Sequence, residues 1–168
     1  MTEPNLAAKL RYAAPNPLFL RDEELTRAIE LLDFAYRALF AEPNRLLAGL
    51  RLGRNHQRII HFVGRYPGIA MGELLEALQL TKQSLSRLVK ELVAARLIVQ
   101  TSDRRDRRQR VLQLTERGRA LDEELSGRLR RRLAAAYRAA GADAVAGYHQ
   151  VLLGLVEEPA RRLLRRAS

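Results

Sequence analysis

Residues 96–118 read RLIVQTSDRRDRRQRVLQLTERG. Leu97–Thr101 and Arg110–Leu114 are short runs of β-branched and alternating residues, which predicts two strands. The segment between them, from Ser102 to Gln109, is a charged loop that closes a hairpin. Five arginines (Arg104, Arg105, Arg107, Arg108 and Arg110) crowd its tip beside Asp103 and Asp106. So many cations repel one another unless something anionic faces them. Arginine on such a tip suits the DNA minor groove, where the potential is most negative. The alternative is a solubilising loop. Asp106 reads as an organiser of the loop, because a carboxylate beside phosphates weakens binding while one paired with a neighbouring arginine fixes a shape. Thr115-Glu116-Arg117-Gly118 opens a further helix.

Immediately upstream lie two short helices. Met71–Leu78 carries Leu74, Leu75 and Leu78, and Gln79-Leu80 forms a tight turn. Thr81 then stands at the N-cap of a helix reaching about Ala95, with Leu85, Leu88, Val89 and Leu92 as its apolar stripe. Opposite that stripe, Gln83, Ser86, Arg87 and Lys90 recur at helical spacing and share one face, with Lys82 beside them in the first turn. Helix, tight turn, helix and hairpin make a winged helix-turn-helix, whose second helix offers its polar face to the major groove. Glutamine pairs bidentately with adenine and arginine with guanine. Ser84 and the amides at the helix start are suited to a phosphate. A merely solvated face is the plain alternative.

Further out, the pattern is helical on both sides. Leu25, Ile29, Leu32, Tyr36 and Leu39 predict a helix from Asp22 to Pro43, with Asp22, Glu23 and Glu24 in its first turn. A short piece over Asn44–Leu50 ends near Gly53, and Arg54–Tyr66 follows, stopped by Pro67-Gly68. Beyond Thr115, Leu121, Leu125, Leu129 and Leu133 carry a helix to Gly141. The last helix holds Val145, Tyr148, Leu152 and Leu155, with Pro159 kinking or restarting it.

Composition narrows the function. The 168 residues are 47% apolar, enough for a core, and carry a formal charge of +11. Such an excess suggests a polyanionic partner, although 27 of the 30 cations are arginine and codon habit alone inflates that count. Residues 67–120 hold eleven basic and six acidic side chains, the largest net share of any third of the chain. No cysteine is present, which excludes disulfides, thiolate metal sites and cysteine redox sensing. No apolar run approaches a membrane span and the first twenty residues lack a signal peptide's apolar core, so a cytoplasmic protein is expected. Nothing resembles a phosphate loop, a nucleophile elbow or a paired His-carboxylate motif, so no enzyme and no cofactor is expected. His56 and His61 are five residues apart, about 140° around a helix, too far to chelate one metal readily. A winged helix serving as a protein–protein module needs an apolar recognition face, and an RNA binder needs stacking aromatics. Residues 80–120 contain neither Phe, Tyr nor Trp. Non-specific nucleic-acid binding remains the other alternative.

The wing D-x-x-D-R-R at Asp103–Arg108 with L-T-x-x-G at Leu114–Gly118 resembles the MarR family of bacterial transcription regulators. Pro67-Gly68, Gly72-Glu73-Leu74, Leu80-Thr81 and Ser86-Arg87-Leu88-Val89 agree with its helix-turn-helix. Three departures stand out. Arg96 replaces a glycine suited to a left-handed helix end, Ala70 replaces a capping Ser or Thr, and Gln100 and Thr101 replace the common Arg or Glu. The resemblance implies a mainly α fold in which a winged helix-turn-helix lobe with a two-stranded wing is joined to a dimerisation domain of N- and C-terminal helices. The division is an arm over 1–20, dimerisation helices over 21–53, the DNA-binding lobe over 54–118 and C-terminal dimerisation helices over 119–168. It further implies a homodimer on a pseudo-palindromic promoter site of double-stranded DNA, read by Thr81, Lys82, Gln83, Ser84, Ser86, Arg87 and Lys90 together with wing residues Arg104, Arg105, Arg107 and Arg108. Many relatives answer to a small aromatic or carboxylate effector. Candidates for such a cleft here are Phe34, Arg37, His56, Phe62 and Tyr66, which serve equally well as packing.

Overall fold

The computed structural model describes residues 17–102 and 110–165. After a 3-10 turn at Pro17–Leu20 come α1 (Asp22–Gly49), α2 (Arg54–Arg65), β1 (Ile69–Ala70), α3 (Met71–Leu78), α4 (Lys82–Ala94), β2 (Ile98–Ser102), β3 (Arg110–Leu114), α5 (Glu116–Ala140), α6 (Ala142–Leu155) and α7 (Glu158–Arg165). The chain forms two compact units, one up to Ala38 and one from Leu39 onward. In the first unit, the acidic first turn of α1 faces the positive end of the helix dipole. Its large apolar side chains are uncovered: Ile29 is 69% exposed and Phe34 62%.

Helix α1 does not stop at Pro43, and the separate piece expected over Asn44–Leu50 is its continuation. Proline removes one backbone hydrogen bond. Here that loss is tolerated because Pro43 is itself buried and Leu47, one turn on, is a core residue at 1% exposure. The helix ends when Arg51 turns left-handed (φ 56°), its N–H donating to the Ala48 carbonyl and that of Leu52 to the Leu47 carbonyl.

The core of the second unit joins Ile59, Ile60 and Val63 of α2, Leu74 and Leu78 of α3, the Leu85, Leu88, Val89 and Leu92 stripe of α4, and Leu112 and Leu114 of β3. The hairpin pairs Ile98 with Leu114 through to Ser102 with Arg110. The sheet has three strands rather than the expected two, in the order β1-β3-β2. Ile69 and Ala70 pair with Leu112 and Val111, a two-residue strand too short to show any alternation in sequence.

Helix α5 is locked to the base of the hairpin. The Thr115 hydroxyl accepts from the Gly118 N–H at 3.0 Å and donates to the Arg96 carbonyl at 2.7 Å. Gly118 lies so close to the Leu97 carbonyl oxygen that an added Cβ would sit 2.0 Å from it. The helix then buries Leu121 and Leu125, while Leu129 and Leu133 are only half-buried. Helix α6 buries no residue. Pro159 restarts the chain as α7, lying in the first turn where its missing N–H costs nothing. Helix α7 packs on α3 through buried Leu163, and Gln79 Nε2 donates to Glu157 at 2.8 Å.

Candidate nucleic-acid interface

The helix-turn-helix is built as its sequence requires. Ala70 offers no capping oxygen, yet its N–H donates to the Glu73 carboxylate at 3.2 Å, which supplies half of a capping box to α3. Gln79 takes the left-handed conformation (φ 52°) and ends that helix. Thr81 caps α4, its hydroxyl oxygen accepting from the Ser84 N–H at 3.1 Å and its proton going to the Ser84 hydroxyl at 2.9 Å. At the other end Arg96 adopts φ 58°, its N–H donating to the Val93 carbonyl and that of Leu97 to the Leu92 carbonyl. The arginine therefore performs the glycine's role in a Schellman turn, at a strain of about 1 kcal/mol or more.

With Leu85, Leu88, Val89 and Leu92 buried, α4 exposes Lys82, Gln83, Arg87 and Lys90 on its outer side, and Ser86 is half-buried beside them. Arg87 is not loose on this face. Its guanidinium donates to Glu91 Oε1 at 3.0 Å, while Glu91 Oε2 meets His56 Nε2 at 2.7 Å. His56 is buried, and its Nδ1 accepts the Gly53 N–H at 2.9 Å. That bond requires Nδ1 to be unprotonated, so Nε2 carries the proton and donates it to Glu91. The His56 hydrogen bond, opposed by partial desolvation and helped by the Arg87 charge, holds the Glu91 carboxyl below its ordinary value. Glu91 is not among the residues that the sequence pattern singles out. Its spacing of four from Arg87 is the one local signal.

The wing base is solvent-facing: Gln100, Thr101, Ser102 and Arg110 are all exposed. Arg104, Arg105, Asp106, Arg107 and Arg108 lie outside the described residues.

Of the cleft candidates, Phe62 and Tyr66 stack one helical turn apart, ring centroids 6.1 Å and planes 15° from each other. His56 is spoken for on both ring nitrogens by Gly53 and Glu91. Phe34 and Arg37 belong to the first unit, where Arg37 pairs with Asp33 at 3.9 Å. A cleft of about 210 Å³ opens instead among Leu50, Leu52, Ala95, Leu97 and Leu121, with Arg117 and Glu124 at its wall. It is assembled from helix ends distant in sequence, so no spacing announces it. His61 faces Asp122 at 3.7 Å, so it and His56 look to different partners. Among the described residues, no group of three His, Cys, Asp or Glu is disposed to hold a metal.

A polar, cation-bearing helix braced by a second helix and flanked by a β-wing defines a winged helix-turn-helix lobe, the architecture of a class of DNA-binding proteins. The MarR family model matches residues 52–109, from just before α2 to just before β3. The HTH-type transcriptional regulator PetP of Rhodobacter capsulatus is 47% identical over 145 residues, covering 86% of this chain and 87% of that protein. The chain belongs to the MarR family. The fold is also that of NadR, solved with 4-hydroxyphenylacetate (TM-score 0.65, 22% identity, 86% of this chain and 94% of that one). A MarR mutant from E. coli, solved with operator DNA, is similar as well (TM-score 0.62, 21% identity, 84% of this chain and 100% of that one).

Proposed function

We propose that the chain acts in the cytoplasm as a homodimer that recognises a pseudo-palindromic promoter site, with α4 in the major groove and the wing arginines in the flanking minor groove. The observation that carries the reading is the outer face of α4. Lys82, Gln83, Arg87 and Lys90 are exposed together on a helix whose opposite stripe is wholly buried, so the face is both polar and rigidly held. A protein-docking winged helix would present apolar side chains there.

Dimerisation draws support from apolar surface left uncovered in each unit: Ile29 and Phe34 on α1, and Val151 and Leu155 on α6, at 65% and 66% exposure. Operator DNA is bound by the E. coli MarR mutant, and a small aromatic acid by NadR. Here a small aromatic or carboxylate effector is proposed by analogy, with the stacked Phe62 and Tyr66 as the pair to test.

Arg87→Ala and Lys90→Ala should each weaken binding to the duplex that the wild-type protein selects from random DNA, with the sedimentation profile of the dimer unchanged. Unchanged gel-shift affinity in both would remove α4 from the groove. Replacing Arg107 and Arg108 together by Ala should lower the salt slope by about two, near 0.9 for each phosphate no longer neutralised. An unchanged slope would place the wing off the DNA.

A further inference from the structure

We propose that Glu91 sets the sequence discrimination of the recognition helix, by holding Arg87 as a directed donor and by placing a negative charge at the rim of the DNA-facing surface. This rests on the reading that α4 enters the groove. An exposed pair spaced i, i+4 on a helix is ordinarily weak, because both long side chains must be ordered to make it. The Arg87–Glu91 pair differs in what stands behind it. Three hydrogen bonds run in series from the backbone: the Gly53 amide to His56 Nδ1 (2.9 Å), His56 Nε2 to Glu91 Oε2 (2.7 Å), and the Arg87 guanidinium to Glu91 Oε1 (3.0 Å). His56 is buried, and its tautomer is fixed by the amide it accepts from. Glu91 is therefore anchored from the protein side through one oxygen and has the other to spare for the arginine.

Two consequences follow for DNA. An arginine already oriented loses less freedom when it meets a base edge, so preorganisation favours the contact that needs geometry. A carboxylate beside the groove repels every phosphate backbone alike. Only a duplex that offers Arg87 a well-placed base edge, such as the O6 and N7 of guanine, recovers that loss. Glu91 thus weakens indiscriminate binding more than specific binding. Sequence pattern assigns this residue no role, because the partner that gives it one stands 35 positions away.

The test uses the full chain, the duplex that the wild-type protein selects from random DNA, and a scrambled duplex of the same composition. Glu91→Gln keeps the shape and the ability to accept from His56 while removing the charge. It should raise affinity for the scrambled duplex, steepen its salt dependence by about one phosphate contact, and lower the selected-to-scrambled ratio by about tenfold, the order of one base-edge contact. In an Arg87→Ala background the same change should leave the ratio nearly unaltered, which a general effect on folding or net charge would not do. A ratio unchanged by Glu91→Gln in the wild-type background, with Arg87→Ala still weakening the selected duplex, overturns the proposal and leaves the groove assignment standing. Loss of discrimination that persists undiminished in the Arg87→Ala background overturns it too. Arg87→Ala without effect on the selected duplex overturns this proposal, and Lys90→Ala likewise without effect overturns the groove assignment with it.

Discussion

Replacing Gly118 by alanine tests the joint on which the wing is mounted. A methyl group there would lie 2.0 Å from the Leu97 carbonyl oxygen, well inside van der Waals contact. The neighbour is backbone, not the end of a flexible side chain, and it is already committed: the Leu97 carbonyl accepts the Thr115 N–H at 3.0 Å. Relief therefore requires α5 to move off the hairpin base. Overpacking of this kind costs about 1–3 kcal/mol, and a buried hydrogen bond left unmade adds roughly 1–3 kcal/mol. A loss of about 2–6 kcal/mol is expected, or roughly 10 °C in Tm at ~2–4 °C per kcal/mol for a protein of this size. Thermal and urea unfolding followed by circular dichroism would measure it. Gly127, on the same helix, supplies the control, since a methyl there meets only the ends of flexible side chains, Arg131 at 3.5 Å and Glu123 at 4.0 Å. Gly127→Ala should be neutral or stabilising by up to about 1 kcal/mol, through helix propensity alone. If Gly118→Ala proved no worse than Gly127→Ala, the close approach of α5 to Leu97 would be refuted.

Arg96→Gly should stabilise the fold by about 1 kcal/mol, because it relieves the left-handed strain at φ 58° while keeping the backbone bonds that close the turn; a lower Tm in the variant would contradict this. Leu163→Ala should cost about 2–4 kcal/mol, since its side chain is 5% exposed where α7 meets α3; proteolysis from the C-terminus that is no faster than in the wild type would show that α7 does not dock there. The Glu91 carboxyl titrates below its ordinary 4.5 in the folded chain. Its contribution is thus complete above the unfolded-state value and lost as pH falls through the folded one. Urea midpoints of the wild type and Glu91→Gln should therefore converge on acidification below about pH 4.5, and a gap independent of pH would exclude an ionised Glu91 as its source.

What was legible in the sequence was local. Thr81 is read as a cap and Thr115 as the start of a helix because a hydroxyl three residues before a free N–H needs no knowledge of the rest of the fold. The Leu85, Leu88, Val89 and Leu92 stripe is legible for the same reason, and it fixes which face of α4 points outward. What the sequence hid depends on long-range partners. Proline at position 43 reads as a helix end until Leu47 is known to be anchored in the core. Ile69 and Ala70 become a strand only because β3 passes beside them. His56 reads as a cleft residue among aromatics, whereas the loop amide of Gly53 and a carboxylate on another helix claim it. The segment of α7 reads as part of the C-terminal dimerisation helices, and its contact with α3 includes Arg162 and Glu76 at 3.4 Å, 86 residues apart.

The same distinction accounts for many of the arginines, whose number alone could not separate function from codon habit. Many arginines outside the recognition elements are engaged within the chain. Arg128 meets Glu124 at 2.8 Å and Glu42 at 3.6 Å, Arg130 pairs with Glu123, and Arg165 meets Glu158 at 3.1 Å. Arg58, Arg119 and Arg161 donate to the carbonyls of Leu78, Leu114 and Leu153, where helices or strands end. Of two arginine clusters that sequence alone leaves unassigned, Arg128 and Arg130 thus pair along α5, while Arg161 and Arg162 tie α7 to α6 and α3. Exposed pairs of this kind add little stability, but they cancel the field that an unpaired cation would project toward a polyanion. On α4 the balance is reversed: three exposed cations, Lys82, Arg87 and Lys90, share a surface with the single carboxylate of Glu91. Positive charge on this helix is therefore concentrated on one face, and the one carboxylate retained there is bonded to Arg87, the arginine proposed to read a base.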